Sequence, residues 1–233
     1  VASVSAVVGC FDSGDKLGRG AAAAVKLVKA GLDYRQLWDD KRDTGSRIHS
    51  FARLWLEGKS AEIPEQDVGH MDAFSRWCDL VKPEWVVAER AGVGSVVCPG
   101  GPCAVCKDTG FLGYGGRLDA IGFWEELFWL GDFKTGNLYR RELTIQLAGY
   151  ANLEGFINYD EDGMVLDLDP MPHVDRWCGL HITPSGVEPL VVPHPTKVTA
   201  EWSDEQMKAE AFETFRALLY VKEWSKQMER KGR

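Results

Sequence analysis

What the chain lacks narrows it first. No stretch approaches the roughly 18–20 uninterrupted apolar residues that a membrane-spanning helix needs. No basic segment followed by an apolar one opens the sequence, so a secretory leader is not expected. Positive charge is in short supply: 27 Lys and Arg against 35 Asp and Glu leave a net charge of −8 and a pI near 5.2. That excludes a protein that coats nucleic acid through bulk positive charge, but not an enzyme that grips a few phosphates locally. There is no internal repeat and no low-complexity tail. These absences point to a soluble, intracellular protein without a membrane partner. The first residue is Val1 rather than Met, which suggests that the natural start lies upstream.

What is present is core material. The 233 residues are 45% hydrophobic, with nine Trp and ten Phe, enough for one packed domain spanning 1–233. Six cysteines occur, at Cys10, Cys78, Cys98, Cys103, Cys106 and Cys178. Without a leader, disulfides are disfavoured. Cys98, Cys103 and Cys106 crowd together, and the Cys-x-x-Cys half has the spacing of a zinc knuckle. A structural Zn²⁺ there would need a fourth ligand from Cys10, Cys78, Cys178 or His70; an unmetallated loop is the alternative.

Periodicity places helices at 20–30, from Thr44 to Gly58, from Pro64 to Val81, from Tyr139 to Glu154 and over 203–229. The last has a capping-box spacing at Ser203 and Gln206. Strands are expected at 84–89, 116–123, 127–134, 174–183 and 187–192, and the opening residues suit a short strand or an extended arm. Residues 92–115 read as an irregular Cys- and Gly-rich insert. The order of elements predicts an α/β (α+β) fold, a central mixed sheet flanked by helices. The acidic groups at Asp160 to Asp162, Asp167 and Asp169 read as solvated loop charges. His173, His181 and His194 read as structural or surface residues.

Chemistry concentrates in Leu127 to Gly136. On a strand, Asp132 and Lys134 share one face while Phe133 points to the other and can bury. A second strand carries Arg117 and Asp119 on one face. If the two strands form a hairpin, Asp119 and Asp132 meet. Two adjacent carboxylates repel unless a cation lies between them, and dense hard oxygen ligands suit Mg²⁺ or Mn²⁺. Such an ion polarises phosphoryl oxygens, and Lys134 could orient or help deprotonate a water, so the parts fit phosphodiester hydrolysis.

Four motifs then occur in order: Gly45 to His49, Gly116 to Asp119, Asp132 to Lys134, and Gln146 to Tyr150. This arrangement resembles the RecB-like branch of the PD-(D/E)XK nuclease superfamily, which includes Cas4-like and phage exonucleases, over roughly residues 45–192. The resemblance implies a restriction-endonuclease-like core and a metal held by His49, Asp119, Asp132 and the backbone carbonyl of Phe133. Asp119, Asp132 and Lys134 would be catalytic. Gln146, Tyr150, Glu89 and Arg117 would contact substrate or support the site. Some relatives hold a four-cysteine iron–sulfur cluster, but their usual cysteine arrangement differs from the one here. The implied function is a metal-dependent deoxyribonuclease, an exonuclease or end-processing enzyme in phage-type replication, recombination or repair. It would work on DNA beside other recombination or replication proteins, in the cytoplasm of a bacterial host if phage-encoded. The alternative is a catalytically weak DNA-binding or assembly subunit that kept the nuclease fold.

Overall fold

The computed structural model describes residues 2–8, 34–193 and 201–231. The helix expected at 20–30, and with it Cys10 and His194, lies outside the described residues. The opening residues form strand β1 (Ala2–Ser3) and a short helix α1 (Val4–Val8) rather than a longer strand or arm, because Val4, Val7 and Val8 bury together in the core. Helix α2 (Tyr34–Leu56) starts ten residues before Thr44. The added turns include the polar run Asp39 to Asp43, which carries no apolar stripe and so hid the start. Gly45 therefore lies well inside the helix. A Cβ there would stand 3.3 Å from Thr135 Oγ1, so the helix passes close to the chain just beyond Lys134. Helix α3 (Glu65–Val81) follows Pro64 and ends at Lys82 in the left-handed conformation, whose N–H donates to the Cys78 carbonyl.

The next segment is a long antiparallel hairpin bent in the middle. Its first arm is β2 (Glu84–Ala88) and β3 (Ala91–Val97); its second is β4 (Phe111–Arg117) and β5 (Ala120–Trp124). β3 pairs with β4 and β2 with β5, and the ladder continues through the bend by Glu89 N–H to Asp119 O at 2.7 Å and Leu118 N–H to Arg90 O at 3.2 Å. Two expectations are corrected here. Residues 92–115 are not one irregular insert: 92–97 and 111–115 are strand, and the hairpin tip at 98–110 between them is loop with one 3-10 turn. The strand expected over 116–123 breaks at Leu118 and Asp119, where the chain leaves one sheet for another.

The bend produces two five-stranded mixed sheets where one central sheet was expected. After β6 (Leu127–Lys134), helix α4 (Arg140–Ala151) leads to β7 (Gly155–Tyr159), β8 (Val165–Pro170), β9 (Arg176–Thr183), β10 (Gly186–Val192) and helix α5 (Asp204–Lys231). The orders are β1-β4-β3-β7-β8 and β10-β9-β6-β5-β2. The molecule is thus of the mixed α/β class. β7 and β8 were not expected. Every residue of β8 is exposed, so its hydrophobic pattern has no buried face to reveal it. Asp167 and Asp169, read as loop charges, lie on this edge strand, where Asp169 meets Arg90 at 2.8 Å and Asp167 accepts from Asn158 at 2.6 Å.

β6 is covered on both faces, which explains its near-continuous apolar run. Trp129 and Phe133 point into a core shared with Ile48 and Ala52 of α2 and Phe74 and Trp77 of α3. Leu130 points into the opposite core, with Leu143 and Leu147 of α4 and Phe215 and Leu219 of α5. α5 is capped as expected: Gln206 N–H donates to Ser203 Oγ at 3.2 Å, and Ser203 N–H to Gln206 Oε1 at 2.8 Å. Among the described residues no helix is long and apolar enough to cross a membrane.

Candidate functional site

Strand register builds the site. Ala88 pairs with Ala120, and Ala120 with Gly131, across β2, β5 and β6. The next residues at that level are Glu89, Asp119 and Asp132, so three adjacent strands each deliver a carboxylate to one end of the sheet. Glu89 sits at φ 43°, unusual for a residue with a side chain, at the point where the hairpin bends. His49 comes in from α2 on one face of the sheet; Lys134 and Gln146 come in from the other.

Asp119 is the hub. Its Oδ1 lies 3.2 Å from His49 Nδ1, and its Oδ2 accepts the Phe133 N–H at 2.6 Å, which continues the β5–β6 ladder with a side chain. In a strand the N–H and C=O of one residue face the same neighbour. The Phe133 carbonyl therefore also faces the Asp119 side, beyond the last β5 pair. Asp132 is engaged differently: Oδ1 accepts from Gln146 Nε2 at 3.0 Å, and Oδ2 lies 2.5 Å from Lys134 Nζ. That second contact is a buried ion pair, so the ammonium offsets the Asp132 charge inside the protein.

His49, Glu89 and Asp119 form a set of potential metal donors, with ligand atoms within 4.8 Å of one another. Donors on opposite sides of a Mg²⁺ ion stand about 4 Å apart; the carboxylate oxygens suit Mg²⁺ or Mn²⁺, while the imidazole suits transition ions such as Fe²⁺ or Zn²⁺. The residues present therefore fit a divalent ion. Glu89, read from sequence only as a supporting residue, belongs to this set, whereas Asp132 holds Lys134 and Gln146. The sequence signal for Glu89 was its place at a strand end; its partners depended on a register that sequence does not show. Arg53 was missed. It stands four residues after His49 on the same helix face, with Nε 4.0 Å from Glu89 Oε2, so helical spacing could have found it. Arg117 Nη1 lies 3.7 Å from the same Glu89 oxygen and its side chain is 61% exposed, open to an incoming anion.

Tyr150 is 4% exposed, and Ser5 of α1 and Gln146 one turn back act on its hydroxyl, so it lies beside the glutamine that holds Asp132. It also accounts for Gly116: a Cβ there would come 2.7 Å from the Tyr150 ring. A cleft of about 310 Å³ opens beside these groups, lined by Lys134, Gln146, Ser5, Asn137 and Tyr139 among others. A larger cleft of about 710 Å³, bounded by Trp177, Lys208 and Phe212, contains none of the motif residues.

The electrostatics are those of a crowded acidic site. Burial and the nearby Asp119 charge push the Asp132 carboxyl up to about 6, against the pull of Lys134. For Lys134, burial lowers the pKa but the Asp132 charge outweighs it, and the net shift is upward. For His49, burial also opposes protonation, and the Asp119 hydrogen bond with the Asp119 and Asp132 charges overcomes it, so its pKa is raised. A raised histidine pKa stabilises the fold fully below the ordinary value, and that contribution is lost as pH rises through the folded-state value. In metal-free protein, the ring signals of His49 should titrate above the ordinary histidine range by NMR. Asp119→Asn should move that midpoint down, since burial then meets weaker opposition. An unchanged midpoint would remove Asp119 as the partner.

No protein-family model matches the chain, and no curated protein matches it either. Among solved structures, the crystal structure of SSO0001 aligns with 67% of this chain at 13% identity and a TM-score of 0.32. The chain covers 59% of that protein's length. At this level the likeness transfers neither fold nor activity.

Proposed function

We propose that this protein is a metal-dependent deoxyribonuclease with a RecB-like PD-(D/E)XK core. The observation that carries the reading is the convergence of Glu89, Asp119 and Asp132 at one level of three adjacent strands, with Lys134 two residues further along β6 and its ammonium 2.5 Å from Asp132. DNA as the substrate, and an exonuclease or end-processing role, are supported by the order of the four motifs.

His49, Glu89 and Asp119 would hold a Mg²⁺ or Mn²⁺ ion, with the Phe133 carbonyl as a further oxygen on the Asp119 side and Asp132 beside them, paired with Lys134. When bound, the ion supplies Lewis acidity toward a phosphoryl oxygen and makes a water more acidic. The Asp132 charge raises the Lys134 pKa, and the ammonium would act as a cation toward the charge that develops on phosphate. Gln146, with Tyr150 beside it, holds Asp132, and through it Lys134, in one orientation. Arg117 and Arg53 supply the local positive charge that the acidic chain lacks overall.

The test is cleavage of linear and circular DNA with Mg²⁺ or Mn²⁺. Chelation should abolish activity, and Asp119→Asn should lower it at least about 10²-fold. Intact circles with degraded linear DNA would mark an exonuclease. Tight DNA binding without any cleavage would favour the assembly-subunit alternative. Cleavage that survives both the chelator and the substitution would exclude the site.

A further inference from the structure

The tip of the bent hairpin carries a second constellation that the nuclease reading does not use. Cys98 Sγ and Cys103 Sγ are 3.7 Å apart, Cys103 Sγ and Cys106 Sγ are 3.9 Å apart, and all three sulfurs lie within 4.8 Å of one another. A disulfide brings two sulfurs to about 2.05 Å, so these are free thiols. Ligand sulfurs on a tetrahedral ion with bonds of about 2.3 Å stand about 3.8 Å apart. The spacing is that of ligands around one zinc-sized ion.

From this geometry we infer that Cys98, Cys103 and Cys106 hold a structural Zn²⁺ ion through three thiolates. The backbone is shaped for it. Ala104 to Cys106 form one 3-10 turn, and Cys103 N–H donates to Cys106 Sγ at 3.3 Å. Lys107 and Asp108 follow in the left-handed conformation at φ 53° and 61°, uncommon for residues with side chains. They reverse the chain tightly enough for the Cys98 and Cys106 ends to meet. Cys98 and Cys106 are 2% and 5% exposed, so two of the three sulfurs are shielded from water.

Among the described residues no fourth Cys, His or carboxylate joins the cluster. Cys78 and Cys178 are buried in the core between β6 and helices α2 and α3, which removes them as the expected fourth ligand. Of the expected fourth ligands, Cys10 lies outside the described residues; Cys10, or a water or other small ligand, would fill the fourth position. The ion would fix the shape of the hairpin tip, which packs against α5. Gln227 Nε2 donates to the Ala104 carbonyl, Arg216 Nη2 reaches the Val97 carbonyl at 3.5 Å, and Tyr220 packs with Cys103 and Val105. β3 spans seven residues, so the tip lies about 20 Å from the bend that holds Glu89 and Asp119. The inference is therefore independent of the nuclease reading.

Elemental analysis of purified protein after dialysis tests it. About one zinc per chain is expected, retained in Asp119→Ala and lost in Cys103→Ser and Cys106→Ser. Should those variants fail to fold, Co²⁺ substitution of the wild type decides: intense sulfur-to-cobalt charge-transfer absorption is expected. Protein that takes up neither zinc nor cobalt, an iron chromophore, or a disulfide among these three cysteines would each overturn the assignment.

Discussion

Lys134→Ala is expected to slow DNA cleavage by about 10²–10³-fold while changing DNA affinity far less, the signature of an interaction made in the transition state. Lys134 lies on the same face of β6 as Asp132, with its ammonium 2.5 Å from the carboxylate. Alternation along the strand allows no other residue of β6 to replace it, because Phe133 points into the aromatic core. Removing the amine takes away the cation nearest Asp132 and leaves that carboxyl buried among Asp119 and its own desolvated surroundings, so its pKa should rise further. Single-turnover cleavage with saturating Mg²⁺, beside equilibrium DNA binding, separates the two quantities. Equal losses in affinity and rate would assign Lys134 to substrate binding alone. An unchanged rate would remove it from the chemistry.

The second large effect concerns stability. Phe74→Ala should cost about 3–5 kcal/mol in chemical denaturation, the usual range for deleting a fully buried aromatic ring. Phe74 is 0% exposed and lies at the centre of the core between α3 and β6. Its ring meets Phe133 edge-on at 5.5 Å and Trp55 at 5.6 Å, stacks on Trp77 at 6.5 Å and lies 6.5 Å from Trp85. Leu80→Ala on the same helix provides the control: Leu80 is 82% exposed, and its loss should stay within about 0.5 kcal/mol. The cavity should also reach the site. Phe133 is the neighbour of both Asp132 and Lys134, and its N–H holds Asp119. A loosened Phe133 should therefore lower cleavage even where the protein remains folded. Destabilisation of less than about 1 kcal/mol would mean that the cluster repacks freely.

Some parts of this arrangement were legible in residues close together in sequence. The period of two in β6 is enough to separate Phe133 from Asp132 and Lys134. The four-residue spacing of Gln146 and Tyr150 puts them on one helix face, and Ser203 with Gln206 marks the start of α5. Each of these is a local property, because the repeat of a strand or helix and the reach of a capping side chain span only a few residues.

Other parts depended on which segments pack together. The bend at Glu89 and Asp119 splits an apparently simple hairpin between two sheets, and no short-range pattern announces it. β8 escaped notice because it lies exposed at a sheet edge, and the start of α2 because its first turns are polar. Glu89 became a partner of His49 and Asp119 only through the register of β2 on β5. The sequence by itself determined which face of β6 presents Asp132 and Lys134. The tertiary structure alone decided that Glu89 joins His49 and Asp119 while Asp132 turns to Lys134 and Gln146. The reason is physical: a side chain's face follows from its own strand, but its neighbours are set by strand register and by the burial of both faces of the sheet, which are non-local.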